Sequence, residues 1–455
     1  MHAAWKAVDA LASSYNGHDH AKALTEQAAT LRGTRELSKG RAGSPALARL
    51  NAVMPELYDF VLIGGGIIGI TLALELKRRQ PASRIALLEK EPAVGAHASG
   101  RNSGVLHAGF YYTADSLKAR FCREGNREMR AFITAKGLPF NPCGKLVVAK
   151  DESELAGLEE LARRGVANGV AVEVIDEAAA KRIEPRVKTA GRALWSPTTA
   201  SADPATVIAA MALDAEAAGV VLKRGVAYRS RSGRSVHTSH GEIEAGYVIN
   251  CAGVYADRIA RDYGFCTRYT ILPFKGLYLY SSEPAGALKT NIYPVPDLAY
   301  PFLGAHYTVT VDGHLKIGPT AMPAFWRENY GGLANFSLRE LVEVCGREAG
   351  LMLSAGFDFR GLALQEMRKM FRGHLVAQAG KLLEGVHPRD YVAWGRPGIR
   401  AQLLDLQTRT LVMDFCLEGD AGSFHVLNAV SPAWTCSLPF ARHVCDEIAK
   451  SGGPH

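Results

Sequence analysis

The sequence predicts an α/β fold in which a parallel sheet, assembled from separated pieces of the chain, accepts an inserted α+β domain built on an antiparallel sheet. Three observations carry this. YDFVLIGG from Tyr58 reads as a short, fully buried strand, the run from Ile67 to Arg79 as an amphipathic helix, and RIALLEK from Arg84 to Lys90 as a second buried strand. Such a strand–helix–strand unit opens a parallel sheet. Residues 270–325 instead alternate aromatic, apolar and polar side chains between Pro and Gly, as antiparallel strands do. After them the tail returns to strands at Thr410–Phe415 and Phe424–Asn428 and to a final helix from about Pro432.

The elements between follow in order. KLVVAK at Lys145 is strand-like, and a charged helix covers Glu152–Arg164. VEVIDEAAAKRIEP reads as strand then helix, and DPATVIAAMALDAEAAGV from Asp203 as a long helix. VVLKRGVAYRSR reads as one strand, and VHTSHGEIEAGYVINCAG as a hairpin feeding a buried strand. Residues 336–385 are helical and amphipathic.

Composition narrows the function. A chain of 455 residues holds two packed domains, and 47% hydrophobic with 22% charged residues is ordinary for a globular protein. No apolar run approaches the roughly 18–20 residues of a membrane span. The net charge of +8 is spread along the chain rather than gathered, and no nucleic-acid motif accompanies it, so nucleic acid is not an expected partner. Eight cysteines without a CxxC pair or His/Cys ligand spacing point to buried thiols in a reducing compartment and to no metal site. Residues 1–56 lack the apolar core of a secretory signal, and Asp9, Asp19, Glu26 and Glu36 argue against a transit peptide. That segment reads as a surface helix pair, a tether, or an extension ahead of a start at Met54, without assigned function.

Gly64, Gly66 and Gly69 form GxGxxG between the first strand and its helix. The first glycine allows the tight turn, the second the approach of a pyrophosphate to the helix N-terminus, the third close packing of helix on strand. Glu89 follows about 20 residues on, at the end of the second strand, where a carboxylate accepts ribose hydroxyls and repels an extra phosphate. These features together predict a bound dinucleotide and a Rossmann-like domain. Three more favour FAD over NAD: the hydroxyl-rich loop HASGRNSG (His97–Gly104), the strand VINCAG (Val248–Gly253) ending in small residues, and the strand-to-helix turn in HVLNAVSPAW, whose N–H groups suit the negative charge of a reduced flavin.

With those segments in place, the chain resembles the D-amino-acid-oxidase-like FAD superfamily and, within it, the L-2-hydroxyglutarate dehydrogenase/oxidase family. The matching stretches include HASGRNSGVLHAGFYYTADSLKARFCREGN, NPCGKLVVA, LPFKGLY, IYPVPDLAYPFLGAHYTVTVDGHLKIGPTA and GRPGIRAQLLD, spanning residues 58 to about 440. Two positions depart from the family pattern: Lys275, where Arg is usual, and Trp434, where a Gly- or Ala-rich turn is usual. The resemblance implies a GR2-type FAD-binding domain in three parts (57–145, 201–268 and 393–455) around a substrate domain in two (146–200 and 269–392). It implies oxidation of L-2-hydroxyglutarate to 2-oxoglutarate by hydride transfer from C2 to flavin N5. Electrons then pass to a quinone or to O2. Alternatives on the same fold are an amino-acid or glycerol-3-phosphate oxidase or dehydrogenase, and a non-catalytic FAD-binding assembly factor. The expected location is cytosolic, free or peripheral on the inner membrane, with the 336–385 helices as either a membrane contact or a cap on the substrate domain.

This chemistry needs a base for the hydroxyl proton and cations for the carboxylates of a dicarboxylate substrate. His107 is the first candidate base and His306 the second, with His425 third. Arg400 is the expected carboxylate anchor, because a guanidinium forks two hydrogen bonds onto a planar carboxylate, and Lys275 is a second cation. Tyr111, Tyr112 and Tyr300 either shape the pocket or belong to the core. Lys118 and Arg120 read as surface or interdomain charges. By analogy with the superfamily, noncovalent FAD falls to Gly64, Gly66, Ile68, Gly69, Glu89, Lys90, Ser99, Arg101, Asn102, Ser103, Gly104, Val226, Cys251, Ala252, Gly253, Gly398, Ser431 and Pro432.

Overall fold

Near-continuous apolar runs become the interior strands of a parallel sheet, because both faces of such a sheet are covered. In the computed structural model, which describes residues 55–296, 304–356 and 358–454, these runs are Glu56–Ile63, Ile85–Glu89 and the second half of Gly241–Asn250. The parallel order is Val220–Arg224, Ile85–Glu89, Glu56–Ile63, Gly241–Asn250, Ser423–Asn428. A meander of Tyr228–Ser232 and Ser235–Thr238 extends Gly241–Asn250, and Cys416–Gly419 closes the other edge against Ser423–Asn428.

The helices Ile67–Arg79, Pro204–Ala217 and Ala433–Lys450 share a core with this sheet through Ile70, Leu72, Met211, Phe440 and Val444, against Phe60, Leu62 and Leu87. Asp203 starts the second of these by accepting the Ala205 N–H at 3.0 Å, an N-cap that satisfies an otherwise orphaned donor. Helix Leu117–Ala135 joins the same core through Phe121, Cys122 and Met129.

The stretch read as one strand, VVLKRGVAYRSR, is two. Gly225, at φ +74°, turns the chain out of the parallel strand, and Val226 then donates its N–H to the Glu89 carbonyl at 2.8 Å. Thr410–Phe415 likewise holds only the two-residue strand Thr410–Leu411.

The antiparallel region divides between two sheets. One has eight strands, ordered Tyr391–Trp394, Leu279–Ser281, Leu315–Gly318, His306–Val309, Asn291–Pro294, Lys145–Val148, Arg192–Ser196, Glu173–Asp176, with a single parallel pairing between Asn291–Pro294 and Lys145–Val148. The other sets Tyr269–Gly276 against Gly398–Asp405, flanked by Met322–Pro323 and Thr410–Leu411. Helices Leu338–Ser354, Phe359–Arg368 and Arg372–Ala379 occupy the region expected to be helical. A buried ion pair ties the segment just ahead of these helices to the helix Ala256–Asp262: Arg327 reaches both carboxylate oxygens of Asp257, at 2.6 and 2.9 Å.

Candidate active site

The glycine turn is closed by contacts that leave no room for a side chain. A Cβ on Gly64, which sits at φ +114°, would lie 2.4 Å from the Cys251 carbonyl oxygen. One on Gly69 would lie 2.1 Å from the Gly64 carbonyl oxygen, and one on Gly66 2.9 Å from Ser99 Oγ. The Ile67 N–H, in the first helical turn, donates to Ser99 Oγ at 3.0 Å, which draws the HASGRNSG loop onto the helix N-terminus. First-turn N–H groups have no partner within their own helix, so this end of the helix favours an anion.

Glu89, buried at the end of its strand, accepts the Gly65 N–H at 2.9 Å and the Glu91 N–H at 2.8 Å, which fixes its carboxylate beside the turn. Next to it, Lys90 bridges Glu91 and Glu328 at 2.5 and 2.6 Å, and His97 reaches Glu91 at 3.0 Å and the Tyr330 hydroxyl at 2.7 Å. Arg101 lies over the Tyr330 ring at 4.3 Å and donates Nε–H to the Ala96 carbonyl at 2.6 Å.

One cavity runs along these groups. Of the residues expected to touch a cofactor, Gly64, Gly66, Ile68, Glu89, Lys90, Ser99, Arg101, Asn102, Ser103, Val226, Cys251, Ala252, Gly253, Gly398, Ser431 and Pro432 line it. Gly69 and Gly104 do not. Gly69 packs helix on strand, and Gly104, at φ +77°, passes so close to Ala202 that a Cβ would sit 2.3 Å from its carbonyl oxygen. Asn102 holds the loop by accepting the Gly104 N–H at 2.9 Å and donating to the Ser99 carbonyl at 2.6 Å.

Of the residues expected to act on substrate, His107 and Arg400 line the cavity. Burial, with the nearby charges of Lys145 and His306, holds the His107 imidazole well below its ordinary pKa, so it is neutral and able to accept a proton. Arg400 directs an N–H to the Thr320 carbonyl at 3.2 Å. Strand register separates Lys275 from it: Arg400 is opposite Phe274 and Lys275 opposite Ile399, so the two side chains leave opposite faces of the sheet. Lys275, expected as a second cation for the substrate, does not line the cavity.

His306 stacks on Tyr293, with ring centroids 3.7 Å apart and Nδ1 3.0 Å from the Gly304 carbonyl oxygen, behind the cavity wall rather than on it. His425 is a core histidine. It is fully buried, Nδ1 meets Asn250 Nδ2 at 3.2 Å and Nε2 meets Ser423 Oγ at 3.1 Å, and Tyr263 and Phe265 flank the ring. With both nitrogens engaged it has none to offer a substrate. Tyr111 is buried with its hydroxyl unpartnered, and Tyr112 packs into the helix-side core. Tyr300 lies outside the described residues. Lys118, expected as a surface or interdomain charge, is not at the surface: it is buried, and burial lowers its pKa while Asp414 opposes the shift.

Several groups were not anticipated. Tyr278 and Tyr330 line the cavity. Trp434, already marked in the sequence as a departure from the family pattern, lines it too, and its buried indole N–H has no protein partner. Lys145 lies behind His107 with Nζ 3.4 Å from Nδ1.

A family model described as FAD dependent oxidoreductase matches residues 59–447. The chain is 36% identical over 442 residues to the mitochondrial L-2-hydroxyglutarate dehydrogenase of Nematostella vectensis, covering 92% of this chain and 96% of that protein. It is 35% identical to the L-2-hydroxyglutarate dehydrogenase of Escherichia coli K12 (86% and 93% covered) and 36% identical to the human mitochondrial enzyme (86% and 88%). Among solved structures, an L-alpha-glycerophosphate oxidase from Mycoplasma pneumoniae with FAD bound superposes at a TM-score of 0.67, with 20% identity and 87% and 95% coverage. Glycine oxidase from Geobacillus kaustophilus follows at 0.64 and 20%, covering 87% and 95%. These two fix the fold.

FAD fits the residues present. Gly64 and Gly66 keep the turn bare at the helix N-terminus, Glu89 holds a carboxylate beside it, and the cavity along them continues to the start of the last helix. On this cradle and on similarity that spans nearly all of its described length, the chain belongs to the FAD-dependent oxidoreductases of the D-amino-acid-oxidase type and, among them, to the L-2-hydroxyglutarate dehydrogenase family.

Proposed function

We propose that the chain oxidises L-2-hydroxyglutarate to 2-oxoglutarate, with His107 as the base for the C2 hydroxyl proton and Arg400 as an anchor for a substrate carboxylate. The observation that carries the residue roles is the meeting of one neutral imidazole and one guanidinium on the same cavity that the dinucleotide turn opens into. Bound there, FAD supplies the two-electron acceptor for the C2 hydride. The chain does the rest. Arg400 presents paired donors to a planar carboxylate, and His107 removes the hydroxyl proton as the carbonyl forms. Tyr278, its hydroxyl pushed up to about 12 by burial, stays protonated as a donor on the same wall.

The electrons then leave for a quinone or O2, and a membrane quinone is the acceptor the surface favours. Phe325, Leu333, Phe336, Leu338, Val342, Leu353, Leu364, Met367, Met370 and Phe371 are all exposed, within fewer than fifty residues of chain. Arg339, Arg360, Arg368 and Arg372 are exposed among them. Apolar side chains interleaved with cations suit the interface of an anionic bilayer. Among the described residues no helix is long and apolar enough to cross a membrane, so the contact proposed is peripheral.

The test is product analysis across a substrate panel. L-2-hydroxyglutarate should give stoichiometric 2-oxoglutarate, with D-2-hydroxyglutarate, glycine and glycerol 3-phosphate at least about 100-fold slower. Faster turnover of any of those three would overturn the substrate assignment. His107→Ala should slow reduction by at least about 100-fold, and a near-normal rate would remove His107 as the base.

A further inference from the structure

One face of the eight-stranded sheet is apolar, and the other mixes buried apolar side chains such as Val147 and Leu194 with polar ones. Leu146, Ile292, Tyr307 and Ile317 belong to the buried core on the first. The pairings Asn291 with Lys145, Ile292 with Tyr307 and Lys316 with Thr308 put Lys145, Tyr293, His306 and Lys316 together on the second. Lys145 is wholly buried there. Its Nζ lies 4.0 Å from the centroid of the Tyr293 ring, 5.1 Å from that of Tyr111 and 5.7 Å from that of Phe110. Among the described residues no carboxylate lies within ion-pair distance of it. The titratable groups around it are His107, Tyr111, Tyr293, Cys122, Cys143 and, beyond His107, His306. Burial pushes its ammonium down to about 7, so near neutral pH the side chain is shared between ammonium and amine.

The nitrogen that Lys145 meets decides what His107 can do. An ammonium would donate to Nδ1, leaving the ring proton of a neutral imidazole on Nε2 and no lone pair for a substrate. An amine would accept the Nδ1 proton instead, and Nε2 would carry the lone pair. The tautomer needed for catalysis is thus the one that an uncharged Lys145 selects.

We propose that Lys145 is the proton acceptor behind His107, orienting the imidazole before the reaction and taking up its charge during it. The inference rests on the reading of His107 as the base. As the C2–H bond breaks and its electron pair leaves as hydride to FAD, the substrate O–H bond breaks and Nε2–H forms. Nδ1–H then breaks and Nζ–H forms, so the hydroxyl proton is balanced by a new ammonium and the imidazole stays neutral. The ring faces around Nζ suit the cation produced. Lys145 does not line the cavity, so it acts through His107 and is a positioning residue.

The test uses FAD-loaded protein and two readouts. In the wild type, nitrogen NMR of labelled histidine should show His107 as the Nδ1–H tautomer above about pH 7. The single-turnover rate of flavin reduction should rise with pH through the same value. Lys145→Met should lose that rising limb and slow reduction by at least about 100-fold, with substrate Kd within about threefold. Lys145→Arg, a cation that cannot deprotonate, should not restore the rate. A Lys145→Met protein with the wild-type rate and pH profile, or rescue by Lys145→Arg, would overturn the proposal. So would an Nε2–H tautomer across the whole range in the wild type, a result that stands even where the variants lose their fold. Wild-type flavin left oxidised by L-2-hydroxyglutarate would instead contradict the proposed function, because the tautomer readout needs no turnover.

Discussion

Glu89 turns both oxygens of its carboxylate onto backbone, accepting the Gly65 N–H at 2.9 Å through Oε2 and the Glu91 N–H at 2.8 Å through Oε1. One side chain therefore fixes the glycine turn at the place proposed for the ribose. Glu89→Ala should weaken FAD binding about 10- to 100-fold, the worth of one to two charge-assisted hydrogen bonds, as measured by reconstitution of apoprotein. Unchanged affinity would place the ribose elsewhere.

Two glycines of the turn should fail in different ways. At Gly69 an added methyl meets the Gly64 backbone carbonyl, which cannot move without opening the helix from the strand. Gly69→Ala should lower the unfolding free energy by about 1–3 kcal/mol or more. At Gly66 the neighbour is the Ser99 hydroxymethyl, which can rotate away. Gly66→Ala should keep a near-normal Tm as apoprotein and yet bind FAD poorly, because the methyl stands where the pyrophosphate approaches. Equal losses of Tm in the two variants would contradict this division.

Arg400 and Lys275 face opposite sides of one strand pair, and only Arg400 lines the cavity. Arg400→Met should lower kcat/KM by about 100-fold, with Arg400→Lys between that variant and the wild type. Lys275→Met should stay within about threefold of wild type, as expected of a substitution outside the site. A large effect of Lys275→Met on KM would bring it back as a substrate cation.

His425 stays neutral in the core, with its pKa lowered from 6.5 to about 4 by burial. The unfolded chain binds this proton more readily than the folded one. Its contribution to stability is therefore complete above about pH 6.5 and is lost as pH falls toward 4, by about 3 kcal/mol. Urea midpoints at pH 7.5 and 4.5 should separate more in the wild type than in His425→Gln. Identical separations would show that His425 does not carry the acid sensitivity.

The cradle was legible because its parts are local: a turn, a helix start and a strand end within Gly64–Glu89, each with its own steric or electrostatic requirement. Arg400 and His107 could be named because the chemistry asks for those residue types. Lys145 could not, since KLVV reads as an ordinary buried strand, and only pairing with Asn291–Pro294 brings it beside Tyr293. His425 was misplaced for the converse reason. Closeness in sequence to Ser431 suggested the flavin turn, but register sets it opposite Asn250. Lys118 sits on a helix whose pattern suggests one wet face, yet it is buried, and its nearest opposing charge, Asp414, comes from almost 300 residues away in the chain. The two sheets hidden in residues 270–325 separate between Gly276 and Leu279, a break that alternation alone does not reveal.

The central claim is that a flavin seated against His107 takes electrons from a 2-hydroxy acid held by Arg400. Anaerobic addition of L-2-hydroxyglutarate to the purified yellow protein measures this directly. The account predicts full bleaching of the flavin by one equivalent of substrate and release of one equivalent of 2-oxoglutarate. A flavin that stays oxidised under excess substrate, or a protein that remains colourless after incubation with FAD, would contradict it.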